Sequence, residues 1–564
     1  MKNDAHSRHP LVHLHKKDKK AVANLDTMRK VFTLPESESS ALAQIDREIS
    51  ENLRGFLQER IVAGDIAPAN LEQGFMDTRI PEDPMWVAEQ TEFLLSKVVA
   101  QSVHTSSPRF IGHMTSALPY FMLPLAKIMI ALNQNVVKIE TSKVFTPLER
   151  QVIGMLHRLI YNYEDDFYLK WTQNFSHSLG VMTSGGTIAN ITGLWVARNK
   201  ALGPREGFRG VADEGLMAAL RAHGYEDVAI VVSERGHYSL TKAADLIGLG
   251  RAQVRRIPID HGHKIDLKAL RSTLQELRAQ RVLVLALIGI AGTTETGHVD
   301  PLDAMADLAQ EYQATFHVDA AWGGPTLFSD RHRSLLKGIE RADSVAFDAH
   351  KQLYVPMGAG MVFFKDPKSL DAIEHHAQYI IRQGSRDIGK HTLEGSRGGM
   401  AMLVHSALRI IGKRGYEILI DEGIGKACLF ARMIKSDPDF ELITAPELNL
   451  LTYRYVPPLA RELLNSQDPN VVTAVNDILS QLTEAKQKRQ RQEGKTFVSR
   501  TRLQAASYSF QHVSVFRVVL ANPLTTRGIL AEILEEQRSY GQEISRNEGY
   551  IDQLTNLTRT QKNV

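Results

Sequence analysis

Apolar positions set two different rhythms along this chain. Between residues 41 and 56, Leu42, Ile45, Ile49, Leu53 and Phe56 recur every three or four places, which predicts a helix with one buried face. Pro81 and Pro84 break the chain before a second helical stretch over 85–99, and 108–124 reads as a loop because Gly112, Pro119 and small polar residues interrupt any period. The rhythm then changes. Short apolar runs at 228–232, 282–288, 315–318, 344–347 and 358–364 alternate with amphipathic stretches, the sequence form of an open, mainly parallel sheet covered by helices. After Gly398-Gly399 come a helical pattern over 400–411, a strand over 450–455, a charged helix over 471–493, a strand over 513–520 and a helix from Thr525. These predict a smaller α+β unit, and no internal repeat is visible.

At 564 residues the chain is long enough for roughly three domains of about 150 residues. The pattern divides it into a polar extension over 1–40, expected to be mobile, a helical segment over 41–135, a large α/β domain over 136–400 and a small domain over 401–564. The longest apolar run, 282–290, is about half of the ~20 residues a membrane-spanning helix requires, so it predicts a buried strand. No membrane partner is implied. Residues 1–20 carry lysines and His6, His9, His13 and His15 without the apolar stretch of an export signal, and no metal site is assigned to those histidines.

A net charge of +3 is too small to imply nucleic acid, and the basic run 486–491 reads as a solvated helix end. Cys428 is the single cysteine, which excludes an internal disulfide and a cysteine-rich metal site and fits a reducing compartment, the cytoplasm.

Chemistry enters with two strand ends. Asp319 closes an apolar run and is followed by Ala320-Ala321-Trp322-Gly323-Gly324, and Lys351 follows Asp348-Ala349-His350 at the end of the next run. The C-terminal ends of parallel strands are where α/β sheets place ligands. A lysine can form a Schiff base with the aldehyde of pyridoxal 5'-phosphate (PLP), and a carboxylate at the pyridine nitrogen keeps that ring able to accept electrons. Upstream, Thr183-Ser184-Gly185-Gly186-Thr187-Ile188-Ala189-Asn190 is a glycine turn opening onto a helix, where free amides attract a phosphate. His237, after the run 228–232, can stack on a flat ring and serve as acid or base. Small Ala321 would let such a ring lie against the backbone. Taken singly, each has a plainer reading: a turn aspartate, a surface lysine, an ordinary glycine turn, a structural histidine. Their order along the chain favours the joint reading.

Those motifs, with the Ser-Glu-x-x-His-Tyr-Ser pattern ending at Ser239 and His350-Lys351, resemble the group II PLP-dependent decarboxylases, which act on glutamate, aspartate, cysteine sulfinate and aromatic amino acids. The resemblance covers about residues 80–535. It implies an α/β PLP-dependent transferase fold of type I, a homodimer with interfacial active sites to which the segment 41–135 contributes packing, and loss of an α-carboxylate as CO2. It also implies that Lys351 is the Schiff-base lysine, Asp319 the pyridinium partner, His237 the stacking histidine and Ala321 a ring contact. Gly186 and Thr187 match the phosphate turn, and Ser344 and His350 match phosphate-side contacts. One departure is visible: the family's usual Asn-Pro-His-Lys is Asp348-Ala349-His350-Lys351 in this chain.

The run Pro108-Arg109-Phe110-Ile111-Gly112-His113-Met114-Thr115 resembles a substrate-contacting stretch of the glutamate enzymes, with His113 in the place of its glutamine. The run 512–523 resembles the acidic-substrate branch and makes Arg517 the clamp for a side-chain carboxylate. A small acidic L-amino acid is the implied substrate. The resemblance leans to L-aspartate, giving β-alanine, ahead of glutamate and cysteine sulfinate; one methylene separates the first two, worth only about 1–3 kcal/mol in a pocket. Transamination on the same scaffold is the more distant alternative. Residues 379–397 occupy the place of the family's mobile catalytic loop, and Tyr379 falls too early in it to stand as the family's loop tyrosine.

Overall fold

The computed structural model describes residues 41–58, 62–64, 68–115, 117–376 and 384–562. The extension 1–40 and the part of the expected loop that holds Tyr379 and Gln383 lie outside the described residues. The described residues form two compact units: one from those up to residue 110 with 490–497, the other from those of 111–489 with 498–562.

In the first unit, helix α1 (Ala41–Gln58) follows the predicted periodicity. The second predicted helix is α2 (Val87–Phe93), which widens into a π-turn over Leu94–Val98. The returning segment is held by the Val62 amide donating to Gly494 O at 2.6 Å and by the Phe110 and Phe497 rings, stacked with centroids 4.7 Å apart.

The second unit contains two sheets. The larger is built from β1 (Gly180–Thr183), β2 (Asp227–Ser233), β3 (Val254–Ile257), β4 (Val282–Ile290), β5 (Thr315–Asp319), β6 (Ser344–Asp348) and β7 (Gly360–Phe364), in the spatial order β1-β7-β6-β5-β4-β2-β3. Every strand except β7 points the same way, because β7 is antiparallel to both β1 and β6 while the remaining pairings are parallel. Helices close both faces, so β4, β6 and β7 are buried along their whole length. The smaller sheet is antiparallel, from β8 (Phe440–Thr444), β9 (Leu450–Tyr455), β10 (Ser499–Ala505) and β11 (Gln511–Val519), in the order β10-β11-β9-β8.

The α/β class with its mainly parallel sheet and smaller α+β part is therefore as expected. Strands β1, β3, β8 and β10 were not foreseen: β1 has only four residues, and β3 and β10 are half-exposed with charged residues such as Arg255 and Arg500. The helix expected over 400–411 continues to Ser436, since Gly412, at φ 70°, lets the chain kink without ending it. Among the described residues no helix is long and apolar enough to cross a membrane.

Beyond β5, the backbone at Gly323 presses on the residue that follows β4: a Cβ there would lie 2.3 Å from Ala291 O and 2.9 Å from its carbonyl carbon. Neither partner can rotate away. Gly323→Ala is expected to lower stability by about 1–3 kcal/mol, read as a lowered urea unfolding midpoint.

Candidate active site

Parallel strands bring their carboxyl ends to one edge of the sheet, and a cavity of about 360 Å³ opens there. Asp319, His237, Lys351, His350, Gly186, Thr187 and Ala321 all line it, as do Asp348, Trp322 and Arg235. Residues separated by as much as 243 positions in sequence, Met114 and Met357, thus face a single space.

Helix α3 (Gly186–Ala201) starts directly after β1 and the turn Ser184-Gly185, so its free amides point into the cavity. A Cβ on Gly186 would lie 2.8 Å from Asp348 Oδ2 and 3.2 Å from the Ala321 methyl, so a side chain at 186 would fill the cradle. One turn further into α3, Asn190 is buried and organises the floor. Its Nδ2 donates to Asp319 Oδ2 at 2.9 Å and to Ser239 Oγ at 3.0 Å, while its Oδ1 lies 2.9 Å from His317 Nε2.

These contacts settle the proton positions. Burial depresses the His317 pKa to about 4, so the ring is neutral. It must donate from Nε2 to the Asn190 oxygen, and its Nδ1 accepts from Ser344 Oγ at 2.8 Å. Ser239, having accepted from Asn190, turns its hydroxyl hydrogen to His237 Nδ1 at 2.8 Å. Neutral His237 therefore carries its proton on Nε2. Burial also lowers the His237 pKa, against the opposing pull of Asp319. The second carboxylate oxygen of Asp319 accepts from the Ala321 amide at 3.2 Å.

Lys351 leaves β6 in a tight turn, its Nζ 3.3 Å from Asp348 Oδ2. Asp348 is buried, with Oδ1 lacking a hydrogen-bond partner, and desolvation pushes its pKa up. His350 Nδ1 lies 3.0 Å from Ala359 O, and its Nε2 3.6 Å from Asp348 Oδ2. A second network fixes the turn: Gln352 Nε2 donates to Trp322 O at 2.7 Å, Asn449 Nδ2 to Gln352 Oε1 at 2.8 Å, and Trp322 Nε1 to Asn449 Oδ1 at 2.9 Å.

One expected site residue stands elsewhere, and two flank the cavity without lining it. Ser344 begins β6 at the opposite edge of the sheet and bonds His317, so the strand's own length separates it from the cavity. His113 is not among the lining residues, where its neighbour Met114 is found, but burial and the nearby Arg517 and Lys351 charges lower its pKa. Arg517 stands beside a lining residue, its Nη1 donating to Thr294 O at 3.1 Å, its Nη2 to Gly112 O at 2.9 Å and its Nε to Ser499 Oγ at 3.1 Å. Asn190 and Ser239 stand within the sequence motifs but were given no role, and Gln352 and Asn449 were not singled out. A polar residue inside α3 was the only available signal, since their partners lie as far as 129 residues away.

A lysine amine, a buried carboxylate, an imidazole and a helix-start cradle around one cavity suit a cofactor with an aldehyde, a ring nitrogen and a phosphate; this is the site of a fold type I PLP enzyme. Residues 68–456 match the pyridoxal-dependent decarboxylase conserved domain, and the chain belongs to that family. It is 55% identical over 521 residues to the aspartate 1-decarboxylase of Aliivibrio fischeri (strain ATCC 700601 / ES114), covering 92% of this chain and 95% of that protein. The cysteine sulfinic acid decarboxylase of Rattus norvegicus is 29% identical over 454 residues, 79% of this chain and 85% of the relative. The crystal structure of mouse CSAD superposes with a TM-score of 0.77 at 26% identity, over 90% of this chain and 99% of that one. The protein is a PLP-dependent amino acid decarboxylase.

Asn190→Ala would strand the Asp319 oxygen and the His317 N–H without partners in a buried site. A loss of about 1–3 kcal/mol is expected, measured as a lower unfolding midpoint of the cofactor-free protein, with weaker PLP retention on dialysis.

Proposed function

We propose that the enzyme removes the α-carboxylate of L-aspartate as CO2 and releases β-alanine. The observation that carries this reading is the 55% identity, sustained over 92% of the chain, to an aspartate 1-decarboxylase. Bound PLP supplies the electron sink for the pair left behind when CO2 departs. Lys351, in the turn after β6, would hold the cofactor through its amine. Asp319, oriented by Asn190 and the Ala321 amide, would pair with the ring nitrogen and favour a proton there. His237, with its proton on Nε2, and Ala321 line the cavity and would contact the cofactor ring. Gly186 and Thr187, with His350, would receive the phosphate.

Arg517 holds the distal carboxylate. Its guanidinium is positioned by the two backbone carbonyls and the hydroxyl it already serves, so its orientation is set before substrate arrives. With that end of the substrate anchored, the α-carboxylate would be left without a clamp of its own, free to depart as CO2. His113 completes the substrate contacts from the loop that carries Met114 into the cavity.

The enzyme acts as a cytoplasmic homodimer in this reading. Support for a second copy comes from the helix Met122–Leu132, which leaves Leu123, Ile128 and Leu132 about half exposed and Ile130 at 70%. Such an apolar face on a large domain calls for a cover.

Offering the purified enzyme L-aspartate, L-glutamate and L-cysteine sulfinate separately, with CO2 and the amine identified, tests the substrate. The highest kcat/KM is expected for aspartate; a preference for either of the others, or keto acid in place of CO2, would overturn it. Lys351→Ala is expected to abolish turnover and the absorbance change on PLP addition. Arg517→Ala is expected to lower kcat/KM for aspartate about a hundredfold, near the ~3 kcal/mol typical when one partner of a buried charge pair is removed.

A further inference from the structure

The departure from the family motif places a carboxylate where it has two incompatible neighbours. Asp348 Oδ2 lies 3.3 Å from Lys351 Nζ, and the same carboxylate closes the glycine cradle: Cβ atoms built on Gly186 and Gly360 would each lie 2.8 Å from one of its oxygens. Its Oδ1 is buried and unpartnered. Without cofactor, an anionic Asp348 suits its surroundings, because the Lys351 ammonium pairs with it and the start of α3 favours negative charge. A phosphate dianion in the cradle, with the Lys351 nitrogen committed to an aldehyde, reverses both conditions. Two anions would then share a water-poor site.

We propose that Asp348 is a proton-holding residue for cofactor capture: it takes the proton that the Lys351 ammonium must lose, and as a neutral carboxyl it donates a hydrogen bond to the cofactor phosphate. The balance is complete within the pair. Ammonium and carboxylate become free amine and carboxylic acid; the amine nitrogen then forms its double bond to the aldehyde carbon, and the aldehyde oxygen leaves as water with the two amine hydrogens. The geometry agrees with a carboxyl whose burial already raises its affinity for a proton. The other charges near it are His350 on its own turn, Asp319 from β5 and His237 after β2; Glu394 Oε1 accepts from the Ser184 amide of the cradle at 3.0 Å.

The inference rests on the proposed role of Lys351. Its test is equilibrium binding of PLP, and of pyridoxal, which lacks the phosphate, to the cofactor-free full chain and to Asp348→Asn across pH 6–9. With PLP, the ratio of wild-type to variant dissociation constants is expected to climb as pH rises, approaching tenfold per pH unit, the slope of one linked proton. With pyridoxal the ratio should stay flat. Parallel curves for PLP, or the same climb with pyridoxal, would overturn the proposal. If the variant does not fold, infrared difference spectra of the wild type decide: PLP addition should produce the stretch of a protonated carboxyl, and its absence overturns the assignment. Failure of borohydride to fix PLP on Lys351 would instead defeat the reading of the lysine itself.

Discussion

Asn190 is the tie on which the site geometry depends. A single side-chain amide, buried one turn into α3, uses both hydrogens and its oxygen to join Asp319, Ser239 and His317. A neutral amide can do this at low cost in a dry interior, because each of its hydrogen-bonding groups meets a partner of the opposite kind. The chain of donors running from Ser344 through His317 to Asn190 allows one arrangement of protons. The carboxylate at the end of β5 and the imidazole after β2 are thereby oriented before any ligand enters, so little reorganisation remains for catalysis to perform.

The same economy of charge explains the layout around Lys351. Its ammonium faces Asp348 across 3.3 Å, and the turn that carries both is locked by Trp322, Gln352 and Asn449. Because Asn449 lies just before β9, the smaller sheet helps to hold a turn of the larger one. The two sheets of the second unit share responsibility for a site that only one of them lines. Arg517, on β11, extends this arrangement by bonding the carbonyl of the cavity residue Thr294.

Much of the architecture was legible because parallel strands covered on both faces are apolar throughout, and runs such as 282–290 stand out for that reason. Strands β3 and β10, with polar residues at exposed positions, lose that signature, and β1 is too short to display one. At the site, Asp319, His237, Lys351 and the Gly185-Gly186 turn were legible because each follows an apolar run or opens a helix. Ser344 was misjudged for a directional reason: it begins its strand, whereas ligands gather where parallel strands end. Closeness in sequence to Lys351 did not place it near Lys351 in space.

Sequence by itself determined the alternation of strands and helices, the reactive side-chain types and the order in which they arrive, since these follow from local periodicity and from chemistry each residue carries alone. Tertiary structure decided which of them meet. The Asn190 network, the turn lock through Asn449, the seat of Arg517 and the partners of Asp348 depend on contacts across tens to hundreds of residues, and hydrogen bonds reach only about 3 Å. No local pattern encodes which distant residue will be folded to that distance.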